Sequence, residues 1–336
     1  MTVRLLAAVI PVFNQAEEIG PTLSALDEAI GRTTFGAEVV VVDDGSTDGT
    51  ASAVRAWTGR TPVRVVEQEN VGRFSARWRG LDETSAEFAL LLDSRVAIDP
   101  NALAFVERQL DDVPPREVWN GHVDIVTAGN PFGVFWDVIT RRAFAAYFRA
   151  PATTSFGSAE FERFPKGTTC FFAPRRLLGE AFGAFQSSYS DLRNANDDTP
   201  IIRWIADRER INISPGFACR YTSRRRLQPF VRHSFHRGVV FVDGHGRRSS
   251  RFFPLVVAFF PLSVGWAVTC VFVPALIALP LVAAALAGVA LAVPDRRVSV
   301  AITMAWVAPL YALAHGAGMW RGLWLATRSR LGRVGA

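Results

Sequence analysis

Three sets of carboxylates stand where apolar runs of this chain stop. Asp43-Asp44 follow Val39-Val40-Val41-Val42, Asp93 follows Phe88–Leu92, and Asp197-Asp198 precede Ile201–Ala206. Carboxylates in such places can accept hydrogen bonds from a ligand, hold a divalent cation, or take a proton as a general base. The first set continues as Gly45-Ser46-Thr47-Asp48-Gly49, which is turn and helix-cap chemistry. Two plainer readings compete with a site. Paired Asp after a strand can be a solvated turn. A calcium loop would place Asp44, Ser46, Asp48 and Gly49 at its first, third, fifth and sixth positions, but its twelfth is Arg55 where a bidentate Glu is required.

The elements that must position these groups alternate in type. Residues 4–12 read as a strand ending at Pro11-Val12-Phe13-Asn14, and 16–30 as a helix with Ile19, Leu23, Leu26 and Ile30 on one face. A second strand spans 38–43. Four consecutive valines without polar alternation are the pattern of a strand buried on both faces. Asp48 can cap a helix running to Trp57, Val63–Val66 is a third strand, 73–84 a helix, and Phe88–Leu92 a fourth strand. This alternation predicts a doubly wound, mostly parallel α/β sheet whose ligands bind at the carboxyl ends of the strands. No Gly-x-Gly-x-x-Gly follows the first strand, which argues against a standard dinucleotide site. The segment Phe135–Phe148 reads as a helix with an aromatic face. That face is either core or a surface resting on a bilayer or lipid acceptor.

At 336 residues the chain has room for one large or two smaller domains, and its hydrophobic content is concentrated near the C-terminal end. Phe252–Val293 carries no charged residue, and Val298–Trp320 carries no Asp, Glu, Lys or Arg, with His315 its one histidine. Runs this long exceed what a buried core helix needs and predict membrane segments near 252–272, 274–293 and 298–320. The start of the chain reads as the first strand rather than a signal peptide, which places the part before residue 245 in the cytoplasm. Cys170, Cys219 and Cys270 show neither metal spacing nor a disulfide framework. The formal net charge is +6 and comes from arginines, clustered at 220–237, 247–251, 296–297 and 321–333. Clusters flanking apolar runs point to anionic lipid headgroups, and no nucleic-acid-binding pattern accompanies them.

Together these motifs resemble the family 2 glycosyltransferases of GT-A fold, over roughly residues 5–240. Ile10-Pro11-Val12-Phe13-Asn14 is similar to that family's first motif and Val42-Asp43-Asp44-Gly45-Ser46-Thr47-Asp48 to its second. Asn70-Val71-Gly72 with Ala76 and Gly80 resembles the third, Leu92-Asp93-Ser94 stands at the Asp-x-Asp motif, and Asp197-Asp198 at the Glu-Asp motif. The resemblance implies a GT-A sheet in two halves, 1–120 for the nucleotide-sugar donor and 121–245 for the acceptor, followed by a helical membrane region, 246–336. It places Pro11, Phe13, Asn14, Asp43, Asp44, Asn70, Gly72, Arg73, Asp93, Ser94 and Arg95 at the donor. Asp44 accepts from the base, Phe13 stacks on it, and Asn70, Gly72 and Arg73 open a helix suited to a pyrophosphate.

Asp93 is the implied ligand of Mg²⁺ or Mn²⁺. The chain departs from the family here, because Arg95 replaces the second Asp, so the metal is expected to bind weakly or Arg95 to pair with the diphosphate itself. Asp198 is the candidate general base of an inverting transfer, with Asp197 beside it as the other candidate. The Gln-x-x-Arg-Trp motif of processive members is largely lost at Val231–Phe235, leaving Lys166, His233, His236 and Arg237 as candidate diphosphate or acceptor contacts. The activity implied is transfer from a UDP- or GDP-sugar to a lipid-linked or polysaccharide acceptor, by a multi-pass membrane protein with a cytoplasmic catalytic domain. A polyprenyl-phosphate glycosyltransferase is the alternative within this chemistry, and a non-catalytic scaffold the alternative outside it.

Overall fold

The computed structural model describes residues 3–248 and 250–334. Met1 and Thr2, the first residues of the chain start read above, and the side chain of Arg333 in the last basic cluster lie outside the described residues.

In chain order the elements are β1 (Leu5–Val12), α1 (Ile19–Ile30), β2 (Gly36–Asp43), α2 (Thr50–Arg55), β3 (Val63–Glu67), α3 (Arg73–Asp82), β4 (Phe88–Leu92), β5 (Val96–Ile98) and α4 (Ala102–Gln109). There follow β6 (Trp119–Ile125), α5 (Pro131–Ala143), α6 (Ala145–Phe148), β7 (Thr154–Phe156), β8 (Cys170–Pro174), α7 (Arg175–Gly183), α8 (Thr199–Ala206) and β9 (Ile211–Tyr221). Four long helices end the chain: α9 (Leu227–His245), α10 (Phe253–Phe272), α11 (Leu279–Ala292) and α12 (Val298–Val334). Contacts group these into two units, each made of several stretches of the chain. The chain leaves the first unit at Val126–Ala143 and Ser187–Asn196 and returns to it each time, a pattern that reading along the sequence does not reveal.

The first unit holds one sheet in the order β3-β2-β1-β4-β8-β6-β9-β5, with β7 on β9. β1 to β4 are parallel to their neighbours, β8 runs antiparallel between β4 and β6, and β6 pairs in parallel with β9. The expected mostly parallel α/β sheet is the fold observed. Val40, Val41 and Val42 are wholly buried, as a strand covered on both faces requires. Ile19, Leu23, Leu26 and Ile30 of α1 pack on one face with Val41 and Leu90. Ala76 of α3 packs on Val40 and Val42 from the other. A Cβ on Gly80 would come within 2.3 Å of Val9, so this glycine sets how closely α3 lies on the sheet.

In the second unit, Phe132, Phe135 and Val138 of α5 are buried with Phe230, Met304 and Val307, so the aromatic face of α5 is core, while the helix expected to run to Phe148 breaks at Phe144 and Tyr147 and Phe148 fall in α6 of the first unit. α9 and α12 meet backbone to backbone. A Cβ on Gly238 would lie 2.0 Å from the His315 carbonyl oxygen, and one on Gly318 1.9 Å from that of Phe235. Asp243 of α9, 3% exposed, closes both ends of the segment 187–196. Its carboxylate accepts from the Ser187 hydroxyl (3.0 Å), the Ser188 N–H (2.6 Å) and the Asn196 N–H (2.8 Å). Tyr189 donates to the Val239 carbonyl at 2.7 Å, and the Ser190 N–H to the Ser329 hydroxyl at 3.0 Å. Among the described residues, three helical stretches are long and apolar enough to cross a membrane: Phe253–Phe272, Pro274–Asp295 and Val298–Leu331.

Candidate active site

Strand registers set the site's location. Val12 of β1 lies opposite Asp43 of β2, which lies opposite Glu67 of β3, so three parallel strands end at one edge. β4 ends there too, and the Asp93 N–H donates to the Thr169 carbonyl at 2.9 Å, bringing the turn before β8 to the same edge. This is where the carboxyl ends of an open α/β sheet bind ligands.

The donor-side residues form a tied set of turns. Asp43 accepts from the Ser46 N–H at 2.8 Å. Asn14 adopts a positive φ of 52° and accepts from the Thr47 N–H at 2.8 Å. α2 starts after Gly49 without a side-chain cap and ends at Arg55 rather than Trp57, and Asp48 instead accepts from the N–H groups of Thr50 (3.1 Å) and Ala16 (3.1 Å). Those hydrogen bonds hold its carboxyl below the ordinary carboxylate range although burial pushes the other way. Asp44 is buried and takes three donors, Gln68 Nε2 (2.8 Å), Val71 N–H (3.0 Å) and Gly72 N–H (2.9 Å). It therefore shapes the loop that carries Asn70 and Gly72. Gly72 has φ 97°, which disfavours any other residue, and starts α3. Pro11 sits in β1 opposite Val42. Phe13, 46% exposed, presents its ring at the end of β1.

Behind this lies a buried ionic cluster. Arg73 Nε and Nη2 donate to the two oxygens of Asp197 at 2.9 and 2.8 Å. Arg77, 0% exposed, joins Asp197 through Nη1 and Asp93 through Nη2, the latter at 2.6 Å. Burial alone would raise the Asp197 carboxyl, but the guanidiniums of Arg73 and Arg77 outweigh it and hold the group well below the usual range. Asp198 differs from its neighbour. Its side chain is 37% exposed, and its Oδ1 accepts from the Thr168 hydroxyl and, at 3.3 Å, the Thr168 N–H. Arg73 and Arg77 stand 3.8 and 3.6 Å from its oxygens.

Sequence reading did not single out Arg77, although a signal exists. It falls on the stripe of α3 made by Phe74, Ala76, Gly80 and Leu81, where a cation must be paired to be buried. Its Nε has no hydrogen-bond partner among the described residues. Thr168, fully buried beside Asp198, was passed over as well.

The remaining candidates have partners of their own. Arg95 turns to Gln15 Oε1 (2.8 Å) and Glu18, and the Ser94 carbonyl accepts from Thr22 at 2.9 Å. Lys166 donates to the carbonyls of Phe161 and Phe164, the latter at 3.1 Å, and lies 4.3 Å over the Phe161 ring. Both cations therefore hold loops in place. His233, His236 and Arg237 lie on α9, in the second unit.

A divalent cation here would be held by Asp93 and by oxygens of the donor's phosphates. Asp93 already holds a buried guanidinium, Arg95 occupies the place of a second carboxylate, and among the described residues no group of three or more His, Cys, Asp or Glu could hold a metal.

Residues 7–115 match the model of glycosyl transferase family 2. A dodecaprenyl-phosphate galacturonate synthase from Rhizobium johnstonii is 30% identical over 109 residues, 32% of this chain and 32% of that relative. A validoxylamine A glucosyltransferase from Streptomyces hygroscopicus subsp. jinggangensis is 40% identical over 103 residues, 29% of this chain and 24% of that protein. The matched segment thus spans a third or less of these relatives' lengths. The mannosyltransferase PcManGT from Pyrobaculum calidifontis, solved in complex with GDP-Man and Mn²⁺, superposes with a TM-score of 0.58 at 20% identity, covering 96% of this chain and 88% of that one. The matching segment holds β1 to β4 and the carboxylates at their ends, so residues 7–115 are similar to glycosyl transferase family 2, within a chain of GT-A fold that carries apolar helices after residue 252.

Proposed function

We propose that this protein is a membrane-anchored glycosyltransferase. It moves a sugar from a UDP- or GDP-sugar to a lipid-linked or cell-envelope polysaccharide acceptor, with inversion, at the cytoplasmic face. The observation that carries this reading is the division of labour between Asp197 and Asp198. Asp197 is locked to two guanidiniums and has little affinity for a proton, whereas Asp198 is over a third exposed, accepts from Thr168, and is adjacent to both cations. A base that is oriented but still reachable is what attack by an acceptor hydroxyl needs.

In this reading Phe13 offers a face to the nucleobase, and Asp43 and Asp44 hold the turns around it. The start of α3, with Gly72 and Arg73, faces the diphosphate. Arg73 can share its fork between Asp197 and a phosphate oxygen, being half-exposed. Asp198 takes the hydroxyl proton as the acceptor oxygen attacks the anomeric carbon and the nucleoside diphosphate departs with the bonding pair. No step is routed through a metal.

A second reading, in which the acceptor is a polyprenyl phosphate, is supported by the similarity to the dodecaprenyl-phosphate galacturonate synthase, whose name specifies such a carrier. A phosphate acceptor arrives ionised and needs no base. One experiment addresses both. The full chain in detergent is screened against UDP- and GDP-sugars by thermal shift, and release of nucleoside diphosphate is followed with wild type and Asp198→Asn. Transfer lost by about 10²-fold or more in the variant, with donor binding kept, fits a hydroxyl acceptor. Transfer kept fits a phosphate. No shift with any donor rejects the enzyme, and a shift without turnover leaves the scaffold.

A further inference from the structure

A buried ring nitrogen in the first unit is left without a partner among the described residues. His122 of β6 is 7% exposed. Its Nδ1 lies 2.8 Å from the hydroxyl of Tyr147, itself buried in α6. Its Nε2 makes no hydrogen bond among the described residues and faces the half-exposed carboxylate of Asp124, with Oδ1 3.7 Å away.

The proton positions follow by elimination. Burial, with the Asp124 charge behind it, pushes the Tyr147 phenol well above its ordinary range, so it keeps its proton. Among the described residues the acceptor for that proton is His122 Nδ1. Were the ring protonated on Nδ1 instead, the phenol would lose its acceptor and a bare Nε2 lone pair would face a carboxylate. The neutral ring therefore carries its proton on Nε2. A donor thus stands 3.7 Å from an acceptor, too far for the two to bond each other. A hydroxyl accepts and donates at once, and from one position off the line between them it satisfies both.

The pair stands where a sugar can reach it. β4 and β6 both run antiparallel to β8, which lies between them, so both end at the edge that carries Asp93. Two strand spacings are about 10 Å, within reach of a sugar whose diphosphate is held beside Asp93 and Arg73. β6 serves the same edge at a second point. Asn120 accepts from the Gly167 N–H at 3.1 Å and donates to the Pro165 carbonyl at 3.3 Å, which holds the turn whose Thr168 bonds Asp198. The Phe148 ring, 5.7 Å from that of His122, adds an apolar surface for sugar C–H groups.

We propose that His122 and Asp124 form a subsite for one sugar hydroxyl, with Nε2–H donating to the hydroxyl oxygen and the hydroxyl donating to the carboxylate. Tyr147 is the positioning residue that fixes the tautomer. The subsite deepens the glycosyltransferase reading above and rests on it for the class of ligand. Two sources carry such a hydroxyl, the transferred sugar of the donor and a sugar of the acceptor.

The test uses the full chain in detergent, with isotope-labelled histidine read by nitrogen–proton correlation spectra and affinities by calorimetry. The probes are UDP-glucose, UDP-galactose and GDP-mannose, each against its nucleoside diphosphate, and the methyl glycosides of the same three sugars. The histidine signal missing from His122→Gln should be that of an Nε2–H ring, and a sugar probe should move it where UDP and GDP do not. The affinity that the sugar adds should fall about tenfold or more in His122→Ala and in Asp124→Ala, with UDP and GDP affinities unchanged. Asp124 is half-exposed, so its variant serves even where His122→Ala fails to fold. His122→Gln, whose amide reaches the place of Nε2, should retain part of the sugar affinity. Tyr147→Phe should weaken it by about threefold, and by nothing further once His122 is Ala. An effect confined to nucleotide sugars supports the subsite and assigns it to the transferred sugar, and an effect on methyl glycosides assigns it to the acceptor. Sugar affinity within about twofold of wild type in both alanine variants, or a His122 signal that no sugar moves, overturns the proposal and leaves only water between the two groups. Glycosides held through His122 with no response to any nucleotide sugar reject the enzyme alone. Transfer indifferent to both substitutions rejects the subsite alone.

Discussion

Arg77→Met is the substitution on which the geometry speaks most directly. It keeps much of the side-chain volume and removes the charge that bridges Asp93 and Asp197. Breaking a buried ion pair by deleting one partner costs about 3–5 kcal/mol, because the other charge stays behind. Here the cost is moderated twice. Asp197, 4% exposed in its side chain, keeps both bonds to Arg73, and Asp93, at 18%, can recruit water. We therefore expect a loss of about 2–4 kcal/mol, a fall in melting temperature of roughly 5–15 °C for a domain of this size. Tryptophan fluorescence during thermal and urea unfolding of the full chain in detergent would read it. Adding Asp93→Asn should return part of the loss, a coupling of about 1 kcal/mol or more, since the amide removes the stranded charge. Arg77→Lys should lie between, having the charge but not the fork. An Arg77→Met protein within about 0.5 kcal/mol of wild type, or strict additivity of the two substitutions, would refute the bridge as a structural link.

Four further outcomes follow from the same geometry. Asp44→Ala removes the acceptor for Gln68, Val71 and Gly72 and should weaken donor binding and lower stability by about 1–3 kcal/mol, checked by donor thermal shift; unchanged donor affinity would move the nucleotide elsewhere. Asp243→Ala should raise amide hydrogen exchange across 187–196, where one carboxylate now closes both ends, and an unchanged exchange pattern would show that Tyr189 and Ser329 suffice. Asp197 has a folded value depressed below its ordinary 3.8, so its contribution to stability is complete above that pH and is lost as pH falls toward the lower folded value. Acid unfolding of wild type should therefore steepen below about pH 4, and that of Asp197→Asn should not. Transfer should survive chelator in large part because Asp93 is committed to Arg77, and tight stoichiometric Mn²⁺ binding measured by calorimetry would contradict this.

Much of the architecture was legible in the residues. Runs such as Val39–Val42 and Phe88–Leu92 are apolar without alternation, which a strand covered on both faces requires, and both became central strands. Asp43, Asp44 and Asp93 stand at the carboxyl edge because a residue following a parallel strand has no other place to be. The three apolar helices were equally plain, since length and lack of charge are one-dimensional properties.

What the sequence could not convey is which charges meet. Arg77 and Asp197 are 120 residues apart, and Arg95 and Glu18 are 77 apart. No local pattern says that Arg77 meets Asp197 or that Arg95 turns to Glu18 and to Gln15 beside Phe13 and Asn14. Lys166 illustrates the same limit: its type and place suggested a phosphate contact, and its surroundings gave it two carbonyls and an aromatic face. The gathering of Arg237, Trp136 and Tyr311 joins three helices distant in the chain, and the closure of 187–196 by Asp243 joins a loop to a helix some fifty residues on. Periodicity and composition determine which face of an element is buried, because those depend on neighbours one turn or two residues away. Ion pairing and hydrogen-bond partners depend on the packing of distant elements, and only the tertiary structure decided them.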